Sequence, residues 1–391
     1  AMDGDYSGES GIAPSGSSSQ TTPEPGQLTA GDWDDNTNFV WFLDFLGSLD
    51  IGAVPSTEDR VVIRVVNDEG EAISAAMVEV VQGESTLLQA PTSTDGRLIY
   101  FPGRDGAEAG QGALLRGTPP AGQSAVAPVV SEVGAGQGEV TVVLPGAAAV
   151  LPDALDLVFV IDTTGSMSDE LSYLQSEVQS IVDQVQAAAG VESLRLALIT
   201  YRDFSDDYVT NTRDFTDSIA QFQASLDQEG SDGGGDYPEA VEEAFADLGQ
   251  LSWRDGNVAR VVFWIADAPS HEEDYGAVLD EIKASRRSGI RIFPIAASGV
   301  AEEAEFLMRT AAQATLGRYL FLTNDSGIGN SHAEPHIPCY NVQYLNRLMT
   351  RMIVSVLKGR HVAPDADEIL RVQGAPEDGV CHVEGYPDAY L

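Results

Sequence analysis

The sequence predicts an α/β protein with a doubly wound, mostly parallel sheet, preceded by a small antiparallel β-sandwich domain. Five apolar runs have the length and composition of buried strands, namely 155–161, 194–200, 260–266, 290–297 and 318–322. Amphipathic helical patterns separate these runs, and strands that alternate with helices are typical of a parallel sheet covered on both faces. The stretch from 60 to 146 instead alternates apolar and polar residues in short runs, which is typical of antiparallel strands.

The composition of the chain is strongly acidic. Its 391 residues include 61 acidic and 21 basic residues, which gives a formal net charge of -40. Such a field repels phosphate backbones and anionic headgroups, so it argues against nucleic acid and direct lipid-surface partners. It suits divalent cations and cationic partners, although a solvated surface that keeps the protein soluble accounts for most of the charge.

The N-terminal part consists of two segments of different composition. Residues 1–27 are rich in Gly, Ser, Thr, Pro and acidic residues, which predicts a disordered leader or linker, with a simple frayed terminus as the alternative. Residues 28–58 form an aromatic-rich segment whose large apolar side chains are Trp33, Phe39, Trp41, Phe42, Phe45 and Leu46. So much apolar surface must pack against another part of the molecule, and its spacing predicts a short amphipathic helix.

Residues 59–147 are predicted to form the β-sandwich. Turn residues separate its apolar runs, as at Asp68-Glu69-Gly70 and Asp95-Gly96. The order of a strand, an Asn-Asp-Glu-Gly turn, a second apolar run and the sequence Thr94-Asp95-Gly96-Arg97 resembles the transthyretin-like, carboxypeptidase regulatory-like module. That resemblance implies a spacer or regulatory domain, and no residue pattern within it indicates chemistry.

The residues that indicate chemistry follow two of the predicted parallel strands. Asp162, Thr164 and Ser166 come after the run 155–161 at alternate positions of a tight turn, and Asp267 follows the run 260–266. Because ligands of such sheets bind at the carboxyl ends of the strands, we expect these side chains to converge. Carboxylate and hydroxyl oxygens are hard ligands, which suit Mg²⁺, Mn²⁺ or Ca²⁺ and argue against zinc.

A glycine-rich loop offers a third carboxylate to the same site. The sequence Gly233-Gly234-Gly235 precedes Asp236 and opens the predicted helix before the run 260–266. Glycines allow close approach of the backbone, so the loop can lie against the strand ends. Asp236 is therefore the fifth candidate ligand.

The motif Asp-x-Thr-Gly-Ser at 162–166, the glycine-rich loop and the strand-terminal Asp267 together resemble a von Willebrand factor type A domain with a metal-ion-dependent adhesion site. The resemblance covers residues 154–360 and extends to bacterial surface proteins and lipoproteins of that family. It implies one divalent cation, Mg²⁺ first and Mn²⁺ or Ca²⁺ as alternatives, bound by Asp162, Thr164, Ser166, Asp236 and Asp267. Thr164 replaces the usual serine and keeps the hydroxyl, whereas Asp236 lies where the family usually has a threonine and so departs from the pattern.

These residues allow two other interpretations. Asp162 and Asp267 could each cap a helix or turn without any ion, but their occurrence at two strand ends with two hydroxyls favours the metal site. The Asp-Thr-Thr-Gly sequence has no second copy to complete the carboxylate pair of an aspartic protease. We identify no base, nucleophile and oxyanion arrangement, so the protein is not expected to be an enzyme.

The two cysteines lie late in the chain. Cys339 and Cys381 could form one disulfide in an oxidising compartment. The alternative is a transition-metal site of His332, Glu334, His336 and Cys339, but their spacing matches no zinc pattern. A disulfide would bring the C-terminal tail, residues 361–391, back onto the α/β domain. No run of 18 apolar residues occurs, so no transmembrane segment is predicted. We expect an exported protein at the cell surface, or an outer-membrane or periplasmic lipoprotein with a lipid anchor on its native N-terminus.

The site and the composition lead to two functional hypotheses. In the first, the domain is an adhesion or protein-recognition module, and the Asp or Glu carboxylate of a partner protein completes the coordination of the ion. In the second, the ion is structural and the protein is a scaffold subunit of an envelope or secretion assembly. The first hypothesis predicts that a chelator abolishes partner binding. The second predicts that a chelator lowers only the melting temperature.

Overall fold

A computed structural model of the protein describes residues 23–51, 57–108, 111–123, 129–133, 137–189, 191–235, 237–328, 332 and 335–391. Most of the predicted leader and the candidate ligand Asp236 lie outside these ranges. Within them, no helix is both long enough and apolar enough to cross a membrane.

The aromatic-rich N-terminal segment contains strand β1 (Thr29–Trp33) and helix α1 (Phe39–Ser48). The predicted amphipathic helix is thereby confirmed. Phe42, Phe45 and Leu46 are buried in the main core of the α/β domain, so their apolar surface drives the docking of α1 onto that domain.

The following residues form two small sheets. Their strands are β2 (Val61–Val66), β3 (Met77–Gln82), β4 (Ser85–Pro91), β5 (Arg97–Tyr100), β6 (Ala113–Thr118), β7 (Val129–Val133) and β8 (Glu139–Val143), with the short helix α2 (Pro102–Asp105) after β5. The sheet orders are β5-β2-β8 and β4-β3-β6-β7. Ile63, Val78, Leu115 and Val142 belong to the core that the two sheets share. The predicted antiparallel pairing holds except between β2 and β8, which run parallel.

The α/β domain contains the remaining elements. Its strands are β9 (Ala154–Asp162), β10 (Ser193–Tyr201), β11 (Thr210–Thr216), β12 (Ala259–Ala266), β13 (Ile290–Ala296), β14 (Tyr319–Leu322), β15 (Tyr340–Tyr344) and β16 (Arg371–Gln373). Its helices are α3 (Ser168–Ala189), α4 (Ile219–Leu226), α5 (Val241–Gln250), α6 (Tyr275–Arg287), α7 (Glu302–Ala314) and α8 (Leu345–Leu357). Strands β17 (Val380–Cys381) and β18 (Ala389–Tyr390) form a separate pair in the tail.

The central sheet confirms the predicted fold class. Its order is β11-β10-β9-β12-β13-β14-β1-β15-β16, and the five strands from β10 to β14 in that order are parallel. Helices α5, α6 and α7 cover one face, while α3, α4 and α8 cover the other. The apolar stripe predicted for α3 is buried as expected, and its members are Leu171, Leu174, Val178, Ile181 and Val185.

The position of β1 differs from the division of the chain expected from sequence. Residues 28–58 were treated as a segment of their own, yet β1 is an interior strand of the central sheet, antiparallel to both β14 and β15. A Cβ on Gly31 would lie 2.6 Å from the ring of Phe321 and 2.8 Å from that of Tyr340, so glycine permits this close packing. Five buried residues without alternation carry no local strand signal, which is why the pattern did not reveal β1.

The β-sandwich and the tail are both fixed to the α/β domain. Arg286 of α6 donates hydrogen bonds to the Ile99 carbonyl at 2.8 Å and to the Asp105 carboxylate at 2.5 Å, and all of these groups are buried. Cys339 and Cys381 form a disulfide, which confirms the predicted pairing. The tail also contacts the N-terminal segment, because the Asn38 side chain exchanges two hydrogen bonds with the backbone of Tyr390.

Candidate metal centre

The first three candidate ligands lie in one turn at the carboxyl end of β9. The amide of Thr164 donates to Oδ1 of Asp162 at 2.9 Å, and its hydroxyl donates to the same atom at 2.6 Å. The hydroxyls of Thr164 and Ser166 are 3.2 Å apart. Asp162 and Thr164 are fully buried whereas Ser166 is exposed, so the turn is open to solvent on the side of Ser166.

Asp267 reaches the same place from the neighbouring strand. Strands β9 and β12 are parallel with Ile161 opposite Ile265, so Asp267 leaves the sheet beside the β9 turn. The Asp267 carboxylate is buried, which raises its pKa, and the nearby Ser166 hydroxyl partly offsets that rise. The structure therefore brings four of the five candidate residues together, and their role as metal ligands stays a prediction.

The glycine-rich loop lies directly against this turn. The amide of Gly165 donates to the carbonyl of Gly233 at 3.3 Å. A Cβ on Gly234, whose φ is +78°, would lie 3.3 Å from Cβ of Thr164 and 3.5 Å from Oε1 of Glu239. Glycine at 234 thus permits both the positive φ and the close approach of the loop to Thr164 and Glu239. The next acidic residue, Asp236, is outside the described residues.

Several carboxylate oxygens at the site are buried without a hydrogen-bond partner. They are Oδ2 of Asp162, Oδ1 of Asp267 and Oε2 of Glu239. Buried polar atoms in folded proteins are almost always paired, because an unpaired one loses its hydration without compensation. The oxygens of Asp162 and Asp267, together with the hydroxyls of Thr164 and Ser166, are hard donors that fit a divalent cation.

The electrostatics of the site indicate a shortage of positive charge. Burial raises the pKa of Asp162, and the neighbouring Asp267 raises it further. Burial likewise raises the pKa of Asp267, with a further contribution from Glu170. Burial and then Asp162 raise the pKa of Glu239 to about 9. A bound cation would reverse these shifts, because it favours the ionised form of each carboxyl group.

Sequence reasoning did not identify two of the acidic side chains around the turn. Glu239 follows the glycine-rich loop, and Glu170 lies in the first turn of α3, where it contacts the amide of Ser298 at 3.4 Å and Nε2 of His332 at 3.1 Å. Both are almost fully buried. The one sequence feature that could have identified them is that they lie close in sequence to the glycine-rich loop and to the Asp162–Ser166 motif. Nothing local, however, distinguishes them from surface acids of an acidic chain.

Tyr237 connects three loops at this edge. Its hydroxyl donates to the carbonyls of Asp267 and Gly299, at 2.9 and 3.2 Å, and accepts from the amide of Ala301 at 2.9 Å. Its ring nevertheless stays substantially exposed. Tyr237 therefore holds the loops after β12 and β13 beside the glycine-rich loop.

Across the described residues, no group of three or more His, Cys, Asp and Glu side chains is arranged to bind a metal ion. The described part of the predicted site is not such a group, since it combines two carboxylates with two hydroxyls, and the third predicted carboxylate, Asp236, lies outside the described residues. Its donor set matches Mg²⁺, which usually takes one or two protein carboxylates and keeps several waters.

The family model described as von Willebrand factor A domain matches residues 156–327, less than half of the chain. The match confirms the resemblance to that domain for this segment, and the metal site stays a prediction. Domains of this family are recognition and binding modules.

Two relatives share part of the sequence. An alpha-protein kinase of Dictyostelium discoideum, vwkA, is 29% identical over 143 residues, which are 36% of this chain and 22% of that protein. An ariadne-like RING finger protein of Acanthamoeba polyphaga mimivirus, R811, is 33% identical over 119 residues, 30% of this chain and 11% of that protein. The match thus spans less than a quarter of each relative.

Among solved structures, the crystal structure of the conserved hypothetical protein BatB from Bacteroides thetaiotaomicron is similar with a TM-score of 0.36 and 12% sequence identity. The match covers 52% of this chain and 100% of BatB.

Proposed function

We propose that residues 154–360 are a recognition module that binds a partner protein through one divalent cation, with Mg²⁺ favoured. Its ligands would be Asp162, Thr164, Ser166 and Asp267, with Asp236 as a fifth. The observation that carries this proposal is the pair of buried, unpartnered oxygens, Oδ2 of Asp162 and Oδ1 of Asp267. The cation would supply an open coordination position, to which a partner's Asp or Glu carboxylate binds.

The surroundings of the turn support a role in protein recognition. Ser166 is exposed, and two aromatic side chains of neighbouring loops at the carboxyl edge, Phe204 after β10 and Tyr237 after the glycine-rich loop, are 52% and 43% exposed. Aromatic side chains are enriched in protein interfaces, since they bury a large area at low conformational cost. A partner that reaches the ion would therefore also contact aromatic surface.

The metal requirement can be measured without a partner. Isothermal titration of the metal-free chain with Mg²⁺ should give one site, and Asp162→Asn and Asp267→Asn should each remove measurable binding because each loses a charged ligand. Asp217→Asn, a change of the same type at an exposed residue outside the site, is the matched control. A wild-type chain that binds none of Mg²⁺, Mn²⁺ and Ca²⁺ would contradict the proposal.

The role of the metal in recognition needs a partner. A protein retained by the wild-type chain in Mg²⁺ should be released by a chelator and should not bind the Asp162→Ala variant. Binding that persists unchanged under both conditions would show that the ion is not part of the interface.

A second candidate function is a scaffold subunit of an envelope or secretion assembly in which the ion is structural. Glu170 and Glu239 favour it, because additional buried carboxylates near the ion would hold it more firmly and weaken its attraction for a partner's carboxylate. In that case a chelator should lower the melting temperature without affecting partner binding.

We further propose that the protein is exported and has no catalytic activity. The disulfide Cys339–Cys381 supports an oxidising compartment, such as the cell surface or the periplasm. The β-sandwich would be a transthyretin-like spacer between the N-terminal segment and the recognition module. Accessibility of the native chain to an impermeant label on intact cells tests the location, and a chain labelled only after lysis would contradict it.

A further inference from the structure

The loops at the carboxyl edge of the central sheet carry almost no positive charge. These loops are the segments 162–170, 202–209, 229–240, 267–274, 297–303 and 323–338. Their sequence includes no lysine and one arginine, Arg202. Arg202 is buried, donates to the Gly230 carbonyl at 2.7 Å and lies over the ring of Tyr208. These loops therefore expose neither lysine nor arginine.

The histidines of the same loops already lie beside carboxylates. The contacts are 2.8 Å, 3.1 Å and 2.7 Å long, in the pairs His271–Asp203, His332–Glu170 and His336–Glu305 respectively. Any positive charge on these imidazoles is therefore balanced by a neighbouring side chain.

Five acidic side chains of these loops are exposed and make no ion pair within the described residues. They are Asp207, Asp232, Glu272, Glu273 and Glu303, and we call them the acidic rim. Acidic residues stabilise helix N-termini, which accounts for Glu303 in the first turn of α7. Asp207 and Asp232 lie outside helices, so no helix terminus accounts for their charge.

Hydrogen bonds place the acidic rim beside the candidate metal centre. The amide of Asp232 donates to the carbonyl of Thr163, within the turn of the predicted ligands, at 3.1 Å. From the β13 side, the amide two residues before Glu303 donates to the Tyr237 hydroxyl at 2.9 Å. Tyr237 donates in turn to the carbonyl of the predicted ligand Asp267. The rim and the candidate centre therefore form one surface.

The buried carboxylates at the centre of this surface also lack partners. Oδ2 of Asp162, Oδ1 of Asp267 and Oε2 of Glu239 have no hydrogen-bond partner, and the three side chains are almost fully buried. Asp162 and Asp267 balance the charge of one divalent ion, whereas Glu239 and the predicted ligand Asp236 exceed it. The edge would therefore stay negative around a bound ion.

This negative charge restricts which partners can reach the ion. A partner's carboxylate that approached alone would be repelled by the acidic rim, since like charges across an interface cost affinity. Lys or Arg side chains on both sides of that carboxylate would instead be attracted to the rim. The exposed rings of Phe204 and Tyr237 at the same edge would also attract such cations, because the face of an aromatic ring is negative.

We propose that the partner of the carboxyl edge is a basic protein segment, in which Lys or Arg side chains flank the carboxylate that reaches the ion. This inference rests on the proposed function and adds the chemical class of the partner. Opposite charges on the two surfaces would steer their encounter, so association should slow as ionic strength rises.

The test uses the full chain in Mg²⁺ and three labelled peptides, with affinity measured by fluorescence anisotropy at low ionic strength. The basic peptide is Gly-Lys-Lys-Asp-Lys-Lys-Gly with blocked termini. The asparagine peptide has Asn in place of Asp, and the serine peptide has Ser in place of every Lys. The basic peptide should bind about tenfold more tightly than the serine peptide, because only its cations face the rim, and added salt should reduce this difference.

A double variant locates the effect at the acidic rim. Asp207→Asn with Glu303→Gln should weaken binding of the basic peptide by about threefold to tenfold, because two exposed attractions are lost. Neither residue is a predicted metal ligand, so calorimetric Mg²⁺ binding should stay close to that of the wild type. Glu69→Gln with Glu84→Gln is the matched control, because it removes two exposed negative charges from the β-sandwich.

The outcomes separate this inference from the proposed function. Equal binding of the basic and asparagine peptides in Mg²⁺ would contradict the proposed function, since the carboxylate would not reach the ion. Equal binding of the basic and serine peptides would overturn the inference of a basic partner. A control variant that loses as much affinity as the rim variant, or a wild-type chain that does not bind the basic peptide, would overturn it as well.

Discussion

Buried aspartates lie at both edges of the central sheet, but they differ in ion pairing and in the direction in which their pKa values shift. At the amino edge, Asp32 binds Arg318 and Arg351, and Asp156 binds Arg195 and Arg254. These ion pairs hold the pKa of both aspartates below the usual range. At the carboxyl edge, Asp162 and Asp267 make no ion pair within the described residues, and their pKa values are raised.

Both edges contain the same residue type at similar burial, so the difference lies in the supply of positive charge. The chain concentrates its few basic residues at the amino edge and at the junction with the β-sandwich, where they fasten separate segments together. At the carboxyl edge, Arg202 lowers the pKa of Asp162 by less than burial and Asp267 raise it, so the charge of these two aspartates is incompletely compensated, which costs stability. Unsatisfied buried charge in a folded protein is typical of a functional site, and here it indicates a ligand with positive charge.

The largest expected effect is at the amino edge. Asp32→Asn would leave the buried Arg351 guanidinium without a carboxylate and Arg318 with Asp34 alone, and we expect it to lower the free energy of unfolding by about 3–5 kcal/mol. Denaturant titration in a chelator measures this effect. An Asp32→Asn variant as stable as the wild type would show that the ion pairs do not fasten β1 to the sheet.

The closure of the amino edge by the tail should have the next largest effect. Cys381→Ser removes the buried disulfide that holds the tail against β15, and we expect it to lower the free energy of unfolding by about 2–4 kcal/mol. Reduction of the wild-type chain should give a similar loss, and the variant itself should not respond to reductant. Trp41 also stacks on Tyr386 and donates to the Pro387 carbonyl at 3.1 Å. A variant that matches the oxidised wild type would mean that these contacts and the Asn38 hydrogen bonds suffice to hold the tail.

At the carboxyl edge the same kind of substitution should act in the opposite direction. Asp162→Asn removes a buried, unpaired charge, so in a chelator it should raise the free energy of unfolding by about 1–3 kcal/mol. In saturating Mg²⁺ the order should reverse, because only the wild type gains binding energy. If Asp162→Asn in chelator lost as much stability as Asp32→Asn, the aspartates of the two edges would not differ in their contribution to stability.

The smallest expected effect is on the pH dependence of stability. Because the folded state raises the pKa of Asp162 and Asp267, it holds protons that the unfolded chain has lost, and stability should fall as pH rises from about 4 toward neutrality. Asp32 has a lowered pKa, so its contribution is present above about pH 4 and is lost at lower pH. Unfolding measured from pH 4 to 8 should show the carboxyl-edge slope in chelator, a smaller slope in Asp162→Asn, where Asp267 and Glu239 still titrate, and little of it in Mg²⁺.

Much of the candidate site could be predicted from the sequence, because its positions follow from local pattern. The apolar run that ends at Ile161 defines the end of β9, and the parallel arrangement places Asp267 beside Asp162. Glu239 and Glu170 could not be assigned, since their importance depends on burial that no local pattern reveals. Asp236 stays a prediction from the sequence.

The sequence by itself determined the α/β class, the helix α1 and the position of the candidate metal centre, because apolar periodicity and strand ends are local properties. Only the tertiary structure decided the insertion of β1 between β14 and β15, the parallel pairing of β2 with β8, and which arginine neutralises which aspartate. Those features join residues far apart in the chain, as Asp32 and Arg351 illustrate. Packing and charge in the folded sheet determine which of these residues pair. Their spacing in the sequence does not predict the pairing.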